Sequence, residues 1–168
     1  MDKRVVVAPA WPLAVEHVGF NMRSSDWEEC ERTYGLFMSP ADRLKLSVQA
    51  SLKAWCAIDI AAHEPIAVFG VQSFALLGSV GAAWMIATPK VEAHPRAMLE
   101  IGRRYVDKMH EHFDTLVNYV IQGHSDSLCW LKHLGFEILP AAPYGAEKAL
   151  FHQVIRHKGP ARCVTQRC

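Results

Sequence analysis

Residues 66–87 form a run of 22 positions without a single charged side chain. No other feature constrains the fold as much. A helix of that length would cross a bilayer. The run holds Gly70, Gln72, Ser73, Gly78, Ser79 and Gly81, however, and Gly-Ser-Val-Gly at 78–81 stands where a hairpin would turn. Two buried strands at 66–77 and 82–88, closed by Pro89, account for this composition better than one membrane helix does.

The flanking sequence supplies the remaining layers. Residues 4–8 are β-branched and short, which predicts a strand ended by Pro9 and Pro12. Residues 13–21 read as a helix. A second helix opens at Ser25, where Ser25-Asp26-Trp27-Glu28 has capping-box spacing, and stops at Gly35. Ser39-Pro40-Ala41-Asp42 is the clearest helix start, and Leu44, Val48 and Leu52 continue it as one stripe. Strands follow at 55–60 and 115–121, helices at 94–113 and 125–134, and closing strands at 136–139 and 150–156. Met98, Ile101, Tyr105 and Met109 share one face of the long helix. Ser125 is the expected cap and Gly135 the stop of the last helix. From residue 55 the order is β-β-β-α-β-α-β-β. A meander followed by a right-handed helical crossover predicts an α/β fold: a mixed, mostly antiparallel sheet with helices on both faces. One domain is expected over 1–156, followed by a basic tail at 157–168.

Charge and cysteine usage exclude several functions. The formal net charge is +1, so no specific nucleic-acid surface is expected. The N-terminal apolar segment is too short for a signal peptide, and five scattered cysteines then read as reduced thiols in a cytoplasm. Cys129 reads as a buried thiol, and Cys163 and Cys168 as part of the tail. His110-Glu111-His112 does not make a metal site, because residues two apart on a helix point about 200° apart. It reads as a solvated helix end, and no metal is expected anywhere. No nucleophile triad, phosphate loop or dinucleotide fingerprint is present.

Two helices between the first strand and the meander, with the order above, resemble the GNAT (Gcn5-related N-acetyltransferase) fold. The segment from Gly123 through His124, Ser127 and Trp130 to Gly135-Phe136 is similar to that family's Asn-x-x-(Ala/Ser)-x-x-x-(Leu/Tyr)-x-x-x-Gly-Phe, with His124 in place of Asn. The run from Tyr105 to Val120, with Leu131 to Phe136, is similar to the internal virion protein A family of short-tailed bacteriophages. That second resemblance implies a virion assembly or internal protein on a GNAT-like scaffold. It would be located in the host cytoplasm or the virion, with other virion proteins or its own copies as partners. Trp11, Phe20 and Trp27 are the candidate anchors.

The GNAT resemblance implies the alternative, an active N-acetyltransferase using acetyl-CoA. Its cofactor would lie along Met85, Ile86 and Ala87 and over the start of the helix at Ser125. Lys90, His94, Arg96, His124 and Ser127 would be its other contacts. The family binds the pyrophosphate at (Arg/Gln)-x-x-Gly-x-(Gly/Ala), where glycines let backbone N–H groups approach the phosphates. Here the turn is Thr88-Pro-Lys-Val-Glu-Ala-His-Pro-Arg96, with no glycine and with two prolines that lack a donor. On that ground no cofactor is expected in the main reading. Tyr119 and Tyr144 are the candidate acids, and Glu28, Glu29 and Glu64 the candidate bases.

Overall fold

The charge-free run folds as two antiparallel strands. The computed structural model describes residues 4–35, 37–74 and 78–159. In it β3 (Glu64–Ser73) pairs with β4 (Val80–Ala87) in register from Ala67↔Ala87 to Ser73↔Gly81. Among the described residues no helix is long and apolar enough to cross a membrane.

Five further strands complete the sheet: β1 (Val5–Pro9), β2 (Lys53–Asp59), β5 (Thr115–Ile121), β6 (Glu137–Tyr144) and β7 (Ala149–His157). Their spatial order is β1-β2-β3-β4-β5-β7-β6, and only β4–β5 is parallel. This is the expected mixed, mostly antiparallel sheet. β6 is twice its expected length and carries Pro140 and Pro143. It is an edge strand, where a missing N–H costs no ladder bond.

Helices cover both faces. α1 (Pro12–Phe20), α2 (Ser24–Tyr34) and α3 (Pro40–Ala50) precede the meander; α4 (Pro95–Met109) and α5 (Ser125–His133) follow β4 and β5. The two-residue alternation of β4 sorts the core. Trp84 and Ile86 pack with Val15, Val18 and Leu44 of α1 and α3. Ala83, Met85 and Ala87 pack with Met98, Ile101 and Tyr105 of α4. Gly70 sits opposite Trp84, and a Cβ there would lie 2.9 Å from the indole. Only glycine leaves that ring its place.

Capping follows the sequence at one helix and departs from it at two. Ser39 Oγ accepts the Asp42 N–H at 3.1 Å, as expected. Ser25 does not cap α2: the helix starts at Ser24, so Ser25 lies inside it, Arg23 is the N-cap residue and no side-chain cap bond is made. Neither does Ser125 cap α5, whose N-cap is His124. α4 begins at Pro95 because Pro89–Ala93 form a 3-10 turn. Leu52 leaves its expected stripe: the helix ends at Ala50 and the side chain is 54% exposed. Cys129 is half-buried rather than buried and is disulfide-bonded rather than a reduced thiol. His110 is buried, not solvated, with Nδ1 3.0 Å from the Phe113 carbonyl. Cys163 and Cys168 lie outside the described residues.

Candidate active site

β4 and β5 begin side by side and then part. Their register stops at Ala82↔Val117. β4 nevertheless stays on β3 as far as Ala87, and β5 on β7 as far as Ile121. A wedge therefore opens toward the C-terminal ends of both strands, and the chain enters α4 and α5 at that same edge. Backbone groups along it must find other partners or go without.

Most of them find side chains. The Ala87 N–H donates to Asp26 Oδ2 at 2.8 Å, and the Ala87 carbonyl accepts the Arg23 N–H at 2.8 Å. Across the gap, the Ile121 N–H donates to Glu29 Oε1 at 3.1 Å and the Tyr119 N–H to Asn118 Oδ1 at 2.8 Å. Ser79, whose carbonyl accepts the Thr115 N–H, and Ala87 both turn their peptide groups to the β5 side of the strand. By the strand's alternation Met85 does too. Among the described residues its peptide groups have no strand opposite on that side, so Met85 is the open rung of the wedge.

Asp26 and Glu29 are three apart on α2 and share a helix face. One terminates β4 and the other β5, so α2 lies across the mouth of the wedge. Asp26 is buried, and Arg23 balances it with bonds of 2.8 and 3.2 Å. Glu29 Oε1 also lies 3.1 Å from His124 Nδ1, while His124 Nε2 lies 3.4 Å from Glu28 Oε2. Burial pushes the Glu29 carboxyl above its ordinary range; the Ile121 N–H and His124 offset that only in part. Glu28 is half exposed.

The two tyrosines named from sequence meet. Tyr119 and Tyr144 stack at 3.8 Å between ring centroids, 2° from parallel, and Tyr144 sets its edge on Phe151. Burial, then the neighbouring Tyr34 and Tyr119, push the Tyr144 hydroxyl up, so it keeps its proton at neutral pH. The β6–β7 turn is tied to α2 by Arg32–Glu147 at 2.6 Å and by the Ala146 N–H on the Thr33 carbonyl.

The turn before α4 is committed to structural pairs. Lys90 and His17 both reach Glu64, which removes Glu64 from the candidate bases and holds its carboxyl below the usual range. His94 Nε2 lies 3.0 Å from Asp59 Oδ2. Arg96 is exposed and, among the described residues, has no partner. Pro95 occupies the first helical position, so the N–H groups of Arg96 and Ala97 are the donors left in that turn. Ser127 is half-buried on α5. Among the described residues no three His, Cys, Asp or Glu side chains gather as a metal site. Of the expected anchors, Trp11 packs on the core, whereas Phe20 and Trp27 are exposed.

Sequence reasoning named Glu29, His124 and Met85 but not the role of Asp26, Arg23 or Asn118. Nothing local marks those three, because each acts on a backbone group brought to it by the sheet. A cavity of about 60 Å3 lies under the wedge, between β4, β5, α4 and α5.

A seven-stranded mixed sheet with a parallel pair splayed at its centre, preceded by helices and crossed by two more, is the GNAT acetyltransferase fold. The solved structures agree over nearly the whole chain. A ribosomal-protein-S5-alanine acetyltransferase from Vibrio fischeri superposes with a TM-score of 0.70 at 12% identity, over 96% of this chain and 97% of its own. A putative phosphinothricin N-acetyltransferase gives 0.67 at 12% identity, over 92% and 99%. The spermidine N-acetyltransferase of Vibrio cholerae, solved with CoA and spermine, gives 0.67 at 8% identity, over 94% and 97%. No family model and no curated protein matches the chain.

These neighbours overturn the virion-protein expectation. The run at 105–136 that suggested it is the end of α4 with β5 and α5, one unit inside a fold matched over more than nine-tenths of the chain. The expectation of no cofactor is corrected too, since one acetyltransferase of this fold was solved with CoA.

Proposed function

We propose that the protein is an N-acetyltransferase that moves an acetyl group from acetyl-CoA to a primary amine. One observation carries the reading: the sheet is held open after Ala82↔Val117, with the Met85 rung unfilled inside it and the Glu29 carboxylate at its mouth. An extended chain with amide groups fits such a rung as a strand would, which suits the pantetheine arm of the cofactor.

When bound, acetyl-CoA supplies a thioester carbon at which a C–N bond replaces the C–S bond, the amine's proton passing to the sulfur. The chain's own residues do the rest. The Met85 N–H is a fixed donor for a carbonyl oxygen that gains negative charge, at no cost in reorganisation. Glu29 accepts a proton from the incoming amine. A carboxylate raised by burial is a better match to that task than a solvated one. His124 and the Ile121 N–H hold its geometry, and Tyr119 stacked on Tyr144 walls the same face of the sheet. At the phosphate end, Arg96 and the amides of the first turn of α4 offer the pyrophosphate a side chain and two donors where the family offers glycines.

The test pairs binding with turnover. Acetyl-CoA at a hundred times its dissociation constant should stabilise the fold by about 2.7 kcal/mol, read as a rise in Tm. With an acetylated amine found by a panel screen, Glu29→Gln should lower kcat about 10²–10⁴-fold and leave the Tm rise intact. No Tm response to millimolar acetyl-CoA would remove the proposal.

A further inference from the structure

We propose that the cavity under the wedge is an acyl-chain pocket, so that the preferred donor is a short-chain acyl-CoA longer than acetyl. The inference rests on the transferase reading above and deepens it.

Continuity places the occupant. Ala83, Met85 and Asn118 line the cavity, and they are the residues just past the last β4–β5 pair. Met85 therefore serves both spaces: its peptide is the open rung, and its side chain stands on the cavity wall. A thioester carbonyl held at that rung aims its acyl substituent either back toward α2 or down beside the Met85 side chain. On the α2 side stand Asp26 and Glu29, whose carboxylates an alkyl chain would desolvate. Below stand Met98, Val106, Met109 and Leu134, with Asn118 the one amide.

Size sets the length. The cavity measures about 60 Å3, and one water needs roughly 10–15 Å3 counted the same way. About four water-sized groups fit, enough for a butyryl chain. A hexanoyl chain would overfill the space between α4 and α5, where Gly102 already lets Leu134 and Trp130 approach to within 3.0 Å of where a Cβ would stand. A lining of Met85, Met98 and Met109 adapts to a chain of varying shape.

The experiment is calorimetric titration of the full chain with CoA, acetyl-CoA, butyryl-CoA and hexanoyl-CoA. Each methylene newly buried should tighten binding about fourfold, so butyryl-CoA should bind about fifteenfold tighter than acetyl-CoA, and hexanoyl-CoA should fall back. Ala83→Val, which fills the pocket, should abolish the butyryl preference while CoA itself still binds. Met98→Ala, which enlarges it, should move the optimum toward hexanoyl. If CoA binds and the chain-length series is flat or falls from acetyl onward, the pocket assignment is wrong and the acetyltransferase reading stands. If neither CoA nor any thioester binds, both fall together.

Discussion

Asp26 is a place where the fold can be broken at one atom group. Its carboxylate takes the Ala87 N–H and two guanidinium bonds from Arg23, and its side chain is 7% exposed. Asp26→Ala leaves a buried amide without an acceptor and a mostly buried cation without its anion. Removing one member of a buried pair costs roughly 3–5 kcal/mol. The Arg23 side chain keeps 19% of its surface in solvent, so the low end, about 3 kcal/mol, is expected. For a chain of this size that corresponds to a Tm lower by roughly 6–12 °C. Asp26→Asn keeps an oxygen for Ala87 and loses only the charge, so about 1–2 kcal/mol is expected. Urea unfolding followed by far-UV circular dichroism reads both as shifts in midpoint at constant slope. Adding Arg23→Ala to Asp26→Ala should recover part of the loss, because the stranded cation is gone. If Asp26→Ala lies within about 0.5 kcal/mol of the wild type, α2 does not hold the end of β4 and the account of the wedge is wrong.

The remaining expectations concern titration and thiol chemistry. Glu29 has a raised folded pKa, so its contribution to stability is present below its ordinary value near 4.5 and is lost as pH rises through the folded pKa. Glu29→Gln should therefore be at least as stable as the wild type at pH 7 by urea midpoint, while turnover collapses. Asp59 is held low by the Ala62 N–H first and His94 next. Its contribution is present above its ordinary value near 3.8 and is lost as pH falls through the folded pKa. Asp59→Asn should flatten the acid limb of the stability curve, and an unchanged limb would contradict this. Cys30 and Cys56 are free thiols pushed up to about 12 by burial. At pH 8 neither should take up an aromatic disulfide reagent until denaturant is added, as peptide mass mapping would show.

How far the sequence carried depends on whether the cause is local. β5 is legible to the residue, because Thr115–Ile121 is rich in β-branched and aromatic residues and lies between turn signals. So is the meander, because Gly78 and Ser79 put turn residues inside a mostly apolar, uncharged stretch. Ser39 caps α3 because the Ser-Pro-x-Asp pattern acts within its own turn. Ser25 fails for the opposite reason: the start of α2 is set by a distant strand, where the Arg23 N–H pairs with the Ala87 carbonyl, and Arg23 rather than Ser25 takes the N-cap position. The wedge is invisible in sequence, since no residue type announces that two parallel strands will separate after three pairs. The missing glycines at residues 88–96 were legible. They describe only one end of the candidate site, while the opening of the sheet shapes the rest of it.

That opening carries a stability problem whose solution defines the site. A gap between two central strands leaves backbone N–H and C=O groups facing it, and each one buried without a partner costs roughly 1–3 kcal/mol. The chain closes Ala87 with Asp26 and the Arg23 amide, Tyr119 with Asn118, and Ile121 with Glu29. Met85 is the rung left over. Satisfying the others requires carboxylates to stand where water is scarce, and burial is what lifts Glu29. The raised Glu29 carboxyl and the unfilled Met85 rung are thus two consequences of one act of folding, the parting of β4 and β5. A substitution that closed the wedge would remove both together, whereas one at Glu29 would remove only the carboxyl.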